Sequence, residues 1–492
     1  MEEIVELKTM KAIEIYTQKK KRISEVTLID HVAKALFDKI KDHVHKEATG
    51  VCFSGLGNNG ADASKLTDYL VASGYNIKLV IVGNQTALSA SHASILSQIK
   101  CAYYWSLDTF LPQEMIDLIN RADYVIDGLF GTGLNKSIKG IYKTLIDTIN
   151  QKNKTVYSID IPSGLNAHNG IVKELAIKAS ITFGIGFAKF GYYLNDGLDY
   201  VGKLIMVDVG MVSTLEHKKY QVIEQKIPKD YLDRNHNSHK YHYGNLALFG
   251  GSHGLMGALH LSALSAYKLG AGLVHTYTLK KYLPYYTQHN LEVLNHFYER
   301  NPIGDLEKID AIAFGMGLGK KDHHTRRLKD LLALNKPILI DADGLNYFDP
   351  STAHPFTIIT PHVGEFLRLT NFNKTDFSDN PIKHIKAFMN DFKGILVLKG
   401  PATIIAQGEA LYIMPYGDAT LAKAGSGDVL TGLILSLVGQ HIDLLQATLH
   451  ATLIHAKACQ LAKHDLTTLS VLATDIIDYI PKAIMTLVKE KV

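Results

Sequence analysis

The sequence predicts an α/β protein of two three-layer αβα domains, each a parallel sheet with helices on both faces. Three observations predict it. Apolar segments that read as strands alternate with amphipathic helical stretches along most of the chain. Several of these strands run into glycine-rich turns, at the sheet edge where an open α/β fold collects its ligands. The rhythm lapses once, in a polar stretch from Glu216 to His242, which places the boundary between domains of residues 1–215 and 216–492. A chain of 492 residues, 46% hydrophobic and 20% charged, is long enough for two such cores.

In the first half the expected strands are Val51–Ser54, Ile77–Val82, Tyr124–Ile126, Thr155–Ile159 and Ala179–Phe183, each followed by a turn and a helix-like run. In the second they are Asn245–Phe249, Gly272–Thr278, Ala311–Phe314, Pro337–Ile340, Thr357–Thr360 and Ile395–Leu398. No tandem repeat or low-complexity tract interrupts them.

Composition excludes several classes of function. Cys52, Cys101 and Cys459 are odd in number and lack metal-ligand spacing, which argues against a disulfide framework or a zinc site and for a reducing cytoplasm. A net charge of +4 is too small to imply a nucleic-acid partner, and Lys19-Lys20-Lys21-Arg22 reads as a solvated helix face. The N-terminus is acidic and no apolar run reaches the ~18 residues of a membrane span, so neither secretion nor embedding in a membrane is expected. His236, His239 and His242 lack carboxylates and cysteines nearby and read as linker or substrate-facing residues.

In the first half, Gly55-Leu56-Gly57-Asn58-Asn59-Gly60-Ala61-Asp62 closes a strand and opens a helix, an arrangement suited to phosphate. Asp127-Gly128-Leu129-Phe130-Gly131-Thr132-Gly133-Leu134 and Asp160-Ile161-Pro162-Ser163-Gly164 close two more strands and can share its cleft. Asn59, Asp127 and Ser163 offer oxygen atoms without surplus charge, which suits a monovalent cation better than zinc or magnesium; a purely structural role for each is equally compatible.

In the second half, Gly250-Gly251-Ser252, Gly257-Ala258 and Gly315-Met316-Gly317-Leu318-Gly319 are small enough for close backbone approach to a bulky ligand. Asp341-Ala342-Asp343 carries two carboxylates, either a water-bridged magnesium site or a turn and helix cap. Thr360-Pro361-His362 supplies a histidine at a strand end. Lys399-Gly400-Pro401-Ala402-Thr403 begins with a lysine that ends an apolar strand, costly to bury without an anion, and reads as the nucleotide side of a cleft. Last comes Gly425-Ser426-Gly427-Asp428, followed by an apolar helix. Its glycines let successive N–H groups converge on a phosphate, the helix dipole favours that charge, and Asp428 in the first turn is placed to take a proton from a hydroxyl.

These motifs, with His239-Lys240, Tyr243-Gly244 and Gly270-Ala271-Gly272, resemble in order and spacing the dehydratase domain of the NAD(P)H-hydrate repair enzymes over nearly all of residues 225–480. The resemblance implies a ribokinase-like fold and dehydration of hydrated NADH or NADPH, driven by ADP in the bacterial type or ATP in the eukaryotic type, with magnesium. It implies that Ala258, Gly317, His362 and Asp428 meet the hydrated cofactor, with Asp428 as the base. Lys399, Gly400, Pro401, Ala402, Thr403 and Gly427 would meet the adenine nucleotide.

The three turns of the first half resemble the epimerase domain fused to that dehydratase in bacterial repair enzymes, over about residues 51–215, and imply a Rossmann-like fold. By that resemblance Asn58, Asn59, Gly60, Ala61 and Asp62, then Gly131, Thr132, Gly133, Leu134, Asn135, Lys136 and Ser137, and Asp160, contact the hydrated cofactor. Asn59, Asp127 and Ser163 would hold potassium, and Asp127 is a candidate acid/base for opening and reclosing the ring. The family implies a homo-oligomer acting on small molecules.

The chain departs from the family's pattern at Ala61 and Ala63, where glycines are usual, and at Leu56 for proline. Each methyl group is expected to crowd a backbone approach or a positive φ angle and so to weaken the epimerase. In the second half Met316, Gly344 and Asp418 replace proline, alanine and asparagine, and Asp418 is expected to weaken nucleotide binding by its charge. The alternative is a ribokinase-like kinase of a small molecule, releasing a stable phosphate ester and carrying a non-catalytic N-terminal binding domain.

Overall fold

The computed structural model describes residues 2–106, 113–134, 137–212, 220–285, 292–298, 306–319 and 323–488. Asn135 and Lys136 lie outside them, as do residues 216–219 at the start of the polar stretch read as the boundary. The chain forms two compact units, Glu2–Tyr220 with Ser378–Asn380, and Gln221–Phe377 with Pro381–Val492.

The first unit is built on a parallel sheet in the order Tyr103–Ser106, Asn76–Val82, Thr49–Ser54, Tyr124–Gly128, Thr155–Ile159, Ile181–Ile185, Lys203–Val207. Successive side chains of a strand point to opposite faces, and both faces are apolar here. Val51, Phe53, Val80 and Val125 join one buried cluster, whereas Cys52, Leu79, Ile81 and Ile126 join another. The helix Asn58–Ala72 follows the strand Thr49–Ser54, and Glu25–Ile40 is capped by Ser24, whose hydroxyl accepts the Thr27 N–H. Two of the expected helices are missing. Behind Thr155–Ile159 runs a loop broken by Pro162, Gly164 and Gly170, and behind Ile181–Ile185 come only single turns at Phe190–Tyr192 and Gly197–Tyr200. The Lys19–Arg22 run is exposed at the end of the helix Leu7–Lys21, as expected.

The sheet of the second unit runs Leu294–Tyr298, Leu273–Leu279, Asn245–Phe249, Ala311–Phe314, Ile338–Ile340, Thr357–Ile359, Ile395–Leu398, all parallel, and then adds the antiparallel hairpin Thr403–Gln407 and Ala410–Met414. The hairpin turns on Gly408, at φ +55°. The helix Ser426–Gly439 is buried along its whole length after Asp428, so it packs on every side and not along one stripe. It crosses the helix Met256–Lys268 at a spot where only glycine fits. A methyl on Gly432 would lie 2.1 Å from both the Ser262 carbonyl oxygen and the Ser265 hydroxyl.

In both sheets the strand order reverses between two neighbours: Thr49–Ser54 beside Tyr124–Gly128, and Asn245–Phe249 beside Ala311–Phe314. The turns beyond these strand ends are the glycine-rich motifs, and they meet at the crevice where such sheets bind ligands. Among the described residues no helix is long and apolar enough to cross a membrane, and Cys52, Cys101 and Cys459 are buried free thiols.

Candidate functional site

Each unit carries a candidate site, and each is built from its own turns. In the first unit a cavity of about 540 Å³ lies against the turns, lined by Asn58, Asn59, Asp62, Gly131, Thr132, Gly133, Leu134 and Asp160 among the expected residues. The helices Leu7–Lys21 and Glu25–Ile40 wall it with Lys11, Glu14, Glu25 and Leu28. Asn58, Asn59 and Gly60 occupy the first turn of their helix, where backbone N–H groups lack helical partners and favour an anion.

The first unit corrects four expectations. Asp127 does not line the cavity: it is buried, and four donors hold its carboxylate. Oδ1 accepts from Ser163 Oγ (2.6 Å) and Leu129 N (3.3 Å), and Oδ2 from Ser158 Oγ (2.8 Å) and Ser163 N (2.9 Å). With its acceptor positions engaged in this way, the Asp127 carboxylate braces the turns around it. Ala61 is fully buried and packs against Ile29 and Ile95, so its side chain does not line the cavity. Ser137 lines a separate hollow with Gly164 and Glu174. The crowding expected of Ala61 and Ala63 does not occur, since both sit inside a helix at negative φ with their methyl groups in the core. Replacing both by glycine is expected to cost about 1 kcal/mol at each site, read as a lower melting temperature, without raising the rate of hydrate epimerisation.

Oxygen atoms for a monovalent cation do gather. Asn59 Oδ1 is buried without a hydrogen-bond donor. Asn59 Nδ2 donates to the Phe130 carbonyl (3.1 Å), and Ser163 Oγ accepts the Phe130 N–H (2.9 Å). Asn59, Phe130 and Ser163 therefore sit together above the Asp127 carboxylate.

Asp160 and Lys189 face the cavity as an ion pair, with Nζ 2.6 Å from Oδ1. Asp160 is at φ +62°, an uncommon conformation outside glycine, and is pinned there by Tyr192, whose hydroxyl donates to the Asp160 carbonyl at 2.6 Å. Lys189, Glu14 and Lys11 were not foreseen. Lys189 had a legible signal, a single lysine in Phe187-Ala188-Lys189-Phe190, the pattern that marked Lys399. Glu14 and Lys11 had none.

In the second unit the turns also converge. Gly317 is at φ +59°, and a methyl there would lie 2.2 Å from the Leu255 carbonyl and 3.1 Å from Ala258 Cβ, so Ala258 and Gly317 adjoin. Ser262 Oγ links this pair to the anion turn, in contact with the Ala258 carbonyl (3.1 Å) and the Asp428 carbonyl (2.8 Å). A methyl on Gly427 would lie 3.3 Å from Lys399 Nζ, so the turn and the lysine meet as well. Gly425 enters the helix at φ +93°.

His362 caps the helix Val363–Thr370 and bridges to Lys399 through the backbone, with Lys399 N donating to the Pro361 carbonyl at 2.8 Å. Gly400 and Pro401 lie against Gly417, and Thr403 begins the hairpin. Ala402 is buried.

The charges of this site form one group. Lys399 Nζ lies 2.8 Å from Asp341 Oδ1, and Thr431 Oγ1 donates to Asp341 Oδ2 at 2.8 Å. Burial pushes the Asp341 carboxyl up, but Lys399 and these hydrogen bonds outweigh it and hold it below its usual range. Asp343 binds the Gly319 N–H at 2.8 Å, which makes it the brace of the Gly315–Gly319 turn. Asp428 is half-buried, and its carboxyl is pushed up to about 7, first by burial and then by the charge of Asp341, with Lys399 acting against. A carboxyl that titrates near neutrality can take up a proton and release it.

The departures in this unit are accommodated. Asp418 is paired with Lys463 at 2.7 Å and caps the turn Ala419–Leu421, so its charge is matched where it stands. Met316 is buried, its carbonyl accepting the Gly251 N–H. Among the described residues no group of three or more His, Cys, Asp or Glu could hold a metal.

The chain matches two protein families: NAD(P)H-hydrate dehydratase over residues 246–482 and the YjeF-related protein N-terminus over residues 25–191. It is 29% identical to the bifunctional NAD(P)H-hydrate repair enzyme of Coxiella burnetii, over 93% of this chain and 94% of that one. The protein of the same name from Thermosynechococcus vestitus is 30% identical, over 87% of this chain and 86% of its own. Among solved structures, an ADP/ATP-dependent NAD(P)H-hydrate dehydratase from Bacillus subtilis, crystallised with ATP and Mg2+, is 27% identical, with a TM-score of 0.48, covering 53% of this chain and 95% of that one.

Proposed function

The chain belongs to the bifunctional NAD(P)H-hydrate repair enzymes, and from that premise we infer that it returns both epimers of hydrated NADH and NADPH to the reduced cofactors. The epimerase domain, residues 1–215, interconverts the R and S hydrates. The dehydratase domain, residues 216–492, removes water from the S hydrate with ADP, or ATP, as phosphoryl donor.

The observation that carries the reading is Asp428 at the mouth of a glycine turn, beside Lys399. Hydroxide leaves the hydrated ring poorly, and phosphate leaves readily. Asp428 takes the proton of the ring hydroxyl as its oxygen attacks the terminal phosphorus of the nucleotide, and the bridging P–O bond breaks to release AMP from ADP, or ADP from ATP. The N–H groups of the turn and Lys399 hold the charge that develops. Phosphate then departs with the C–O bonding pair, and loss of the proton from the neighbouring carbon restores the double bond. Ala258, Gly317 and His362 meet the hydrate in this assignment. Lys399, Gly400, Pro401, Ala402, Thr403 and Gly427 meet the nucleotide.

Asp341 is engaged by Lys399 and Thr431, which leaves Asp343 as the candidate for a water-bridged magnesium. That ion supplies charge neutralisation to the phosphates of the donor. In the epimerase, Asn59, Asp127 and Ser163 would hold potassium, supported by the donorless Asn59 Oδ1, with the Phe130 backbone beside them. Asn58, Asn59, Asp62, Gly131–Leu134 and Asp160 would contact the hydrate. Three buried thiols support a reducing, cytoplasmic setting, and the family supports a homo-oligomer.

The test is recovery of absorbance at the reduced-nicotinamide band from a mixture of both hydrates, with magnesium, potassium and either ADP or ATP. Full recovery, faster than spontaneous epimerisation allows, is the expected result. A stable phosphate ester without recovery would instead identify a kinase.

A further inference from the structure

The cavity of the first unit is lined by a cluster of ionisable groups. Asp160 and Lys189 form a buried ion pair on its wall, and Lys189 Nζ also donates to the Ile185 carbonyl (3.1 Å). Asp62 lines the same cavity one turn into its helix, 9% exposed, with Oδ1 buried and without a donor. Glu14 faces them from the helix Leu7–Lys21. A fold seldom leaves a buried carboxyl unpaired beside an ion pair unless a ligand completes it.

We propose that Asp160 and Asp62 are the base and the acid of hydrate epimerisation, with Lys189 as the residue that positions Asp160, because the cavity places a paired and an unpaired carboxyl group on one ligand. This rests on the epimerase reading and deepens it. The hydrated ring is a carbinolamine, in which one carbon carries both the hydroxyl and the ring nitrogen. Asp160 removes the hydroxyl proton, the C–O bond becomes a carbonyl, and the C–N bond breaks with its pair going to nitrogen. Asp62 donates its proton to that nitrogen. The open aldehyde turns about the adjacent C–C bond and presents its other face. Nitrogen re-adds to the carbonyl carbon, Asp62 recovers the nitrogen proton, and Asp160 returns its proton to oxygen. Nothing is consumed.

The electrostatics support this division of labour. Burial, and then the anionic charges of Asp160, Glu14 and Glu25, hold the Asp62 carboxyl well above its usual range, the direction an acid needs. Asp160 has the Lys189 ammonium against it as counter-ion. A carboxyl raised by burial beside one that holds a counter-ion is the arrangement of a paired acid and base.

The test follows the exchange of purified R and S hydrates without nucleotide, by chromatographic separation of the epimers. Asp160→Asn and Asp62→Asn are each expected to slow exchange by about 100-fold or more, with dehydration of the S hydrate by the other unit retained as evidence of folding. Lys189→Gln is expected to lower kcat with little change in KM, and Lys189→Arg to restore most of it. Exchange within about fivefold of the unsubstituted protein in either aspartate variant would overturn the pair while leaving the epimerase assignment standing. Absence of exchange in the unsubstituted protein would overturn both.

Discussion

Asp428→Asn is expected to lower nucleotide-driven dehydration of the S hydrate by about 10²–10⁴-fold while leaving ADP binding largely intact. The first quantity is read by absorbance recovery, the second by calorimetric titration. In the unsubstituted protein the pH profile follows from the carboxyl that is pushed up to about 7. A base must be ionised to act, so the rate falls about tenfold per unit below that pH and levels off above it, and the variant loses this limb. The stability change has the opposite sign. The folded state keeps a proton on Asp428 that the unfolded chain releases near pH 4, so between pH 4 and pH 7 stability declines as pH rises. Asparagine carries no such penalty. The variant is expected to melt higher than the parent, by a wider margin at pH 8 than at pH 5, and an unchanged melting difference across that range would refute the burial of this charge. The site thus trades stability for a base that titrates in the working range.

Lys399→Ala is expected to destabilise the second unit by about 3–5 kcal/mol. Its cause is the partner left behind. Asp341 is buried at 1% exposure, and removing the ammonium leaves its carboxylate held by hydroxyl groups such as that of Thr431, without a counter-ion. Burial alone would push the Lys399 ammonium down, yet Asp341 holds it above its usual range, so the pair stays ionised. Denaturant unfolding measures the loss, and the double variant Lys399→Met with Asp341→Leu is expected to recover most of it, because two apolar groups need no partner. Nucleotide binding should be lost in both variants, which separates the lysine's role in the fold from its role toward the donor. Recovery of binding in the double variant would contradict the placement of Lys399 on the phosphates.

Much of this was legible in the sequence, and the exceptions have physical causes. Central strands such as Asn245–Phe249 and Ile395–Leu398 are buried on both faces and read as apolar runs. The edge strand Leu294–Tyr298 has a wetter face and carries Asn295 and His296, polar residues that blur the run. The hairpin at Thr403 carries a local signal too, the two-residue turn of Gln407-Gly408-Glu409-Ala410, beside a Lys399–Thr403 segment whose residue types point to chemistry more than to a strand. Among site residues, those announced by glycine were found, since a turn that needs positive φ leaves its mark locally. The surroundings of Asp127 are not legible, because sequence cannot tell a carboxylate that faces a ligand from one surrounded by four donors. Glu14 was missed because its helix bears no motif and joins the cavity only through tertiary packing.

The reversal of strand order in each sheet also governs how the sites come into being. The two strands at each reversal, Thr49–Ser54 with Tyr124–Gly128 and Asn245–Phe249 with Ala311–Phe314, are separated by long stretches of intervening chain. Pairing them closes a large loop before any local contact rewards it, which makes these contacts slow to form. During synthesis a ribosome must therefore deliver each second strand before the crevice exists at all. Neither nucleotide nor hydrated cofactor can template the early steps, and any rescue of a folding-impaired variant by added ligand should act on unfolding rate and leave the folding rate nearly unchanged.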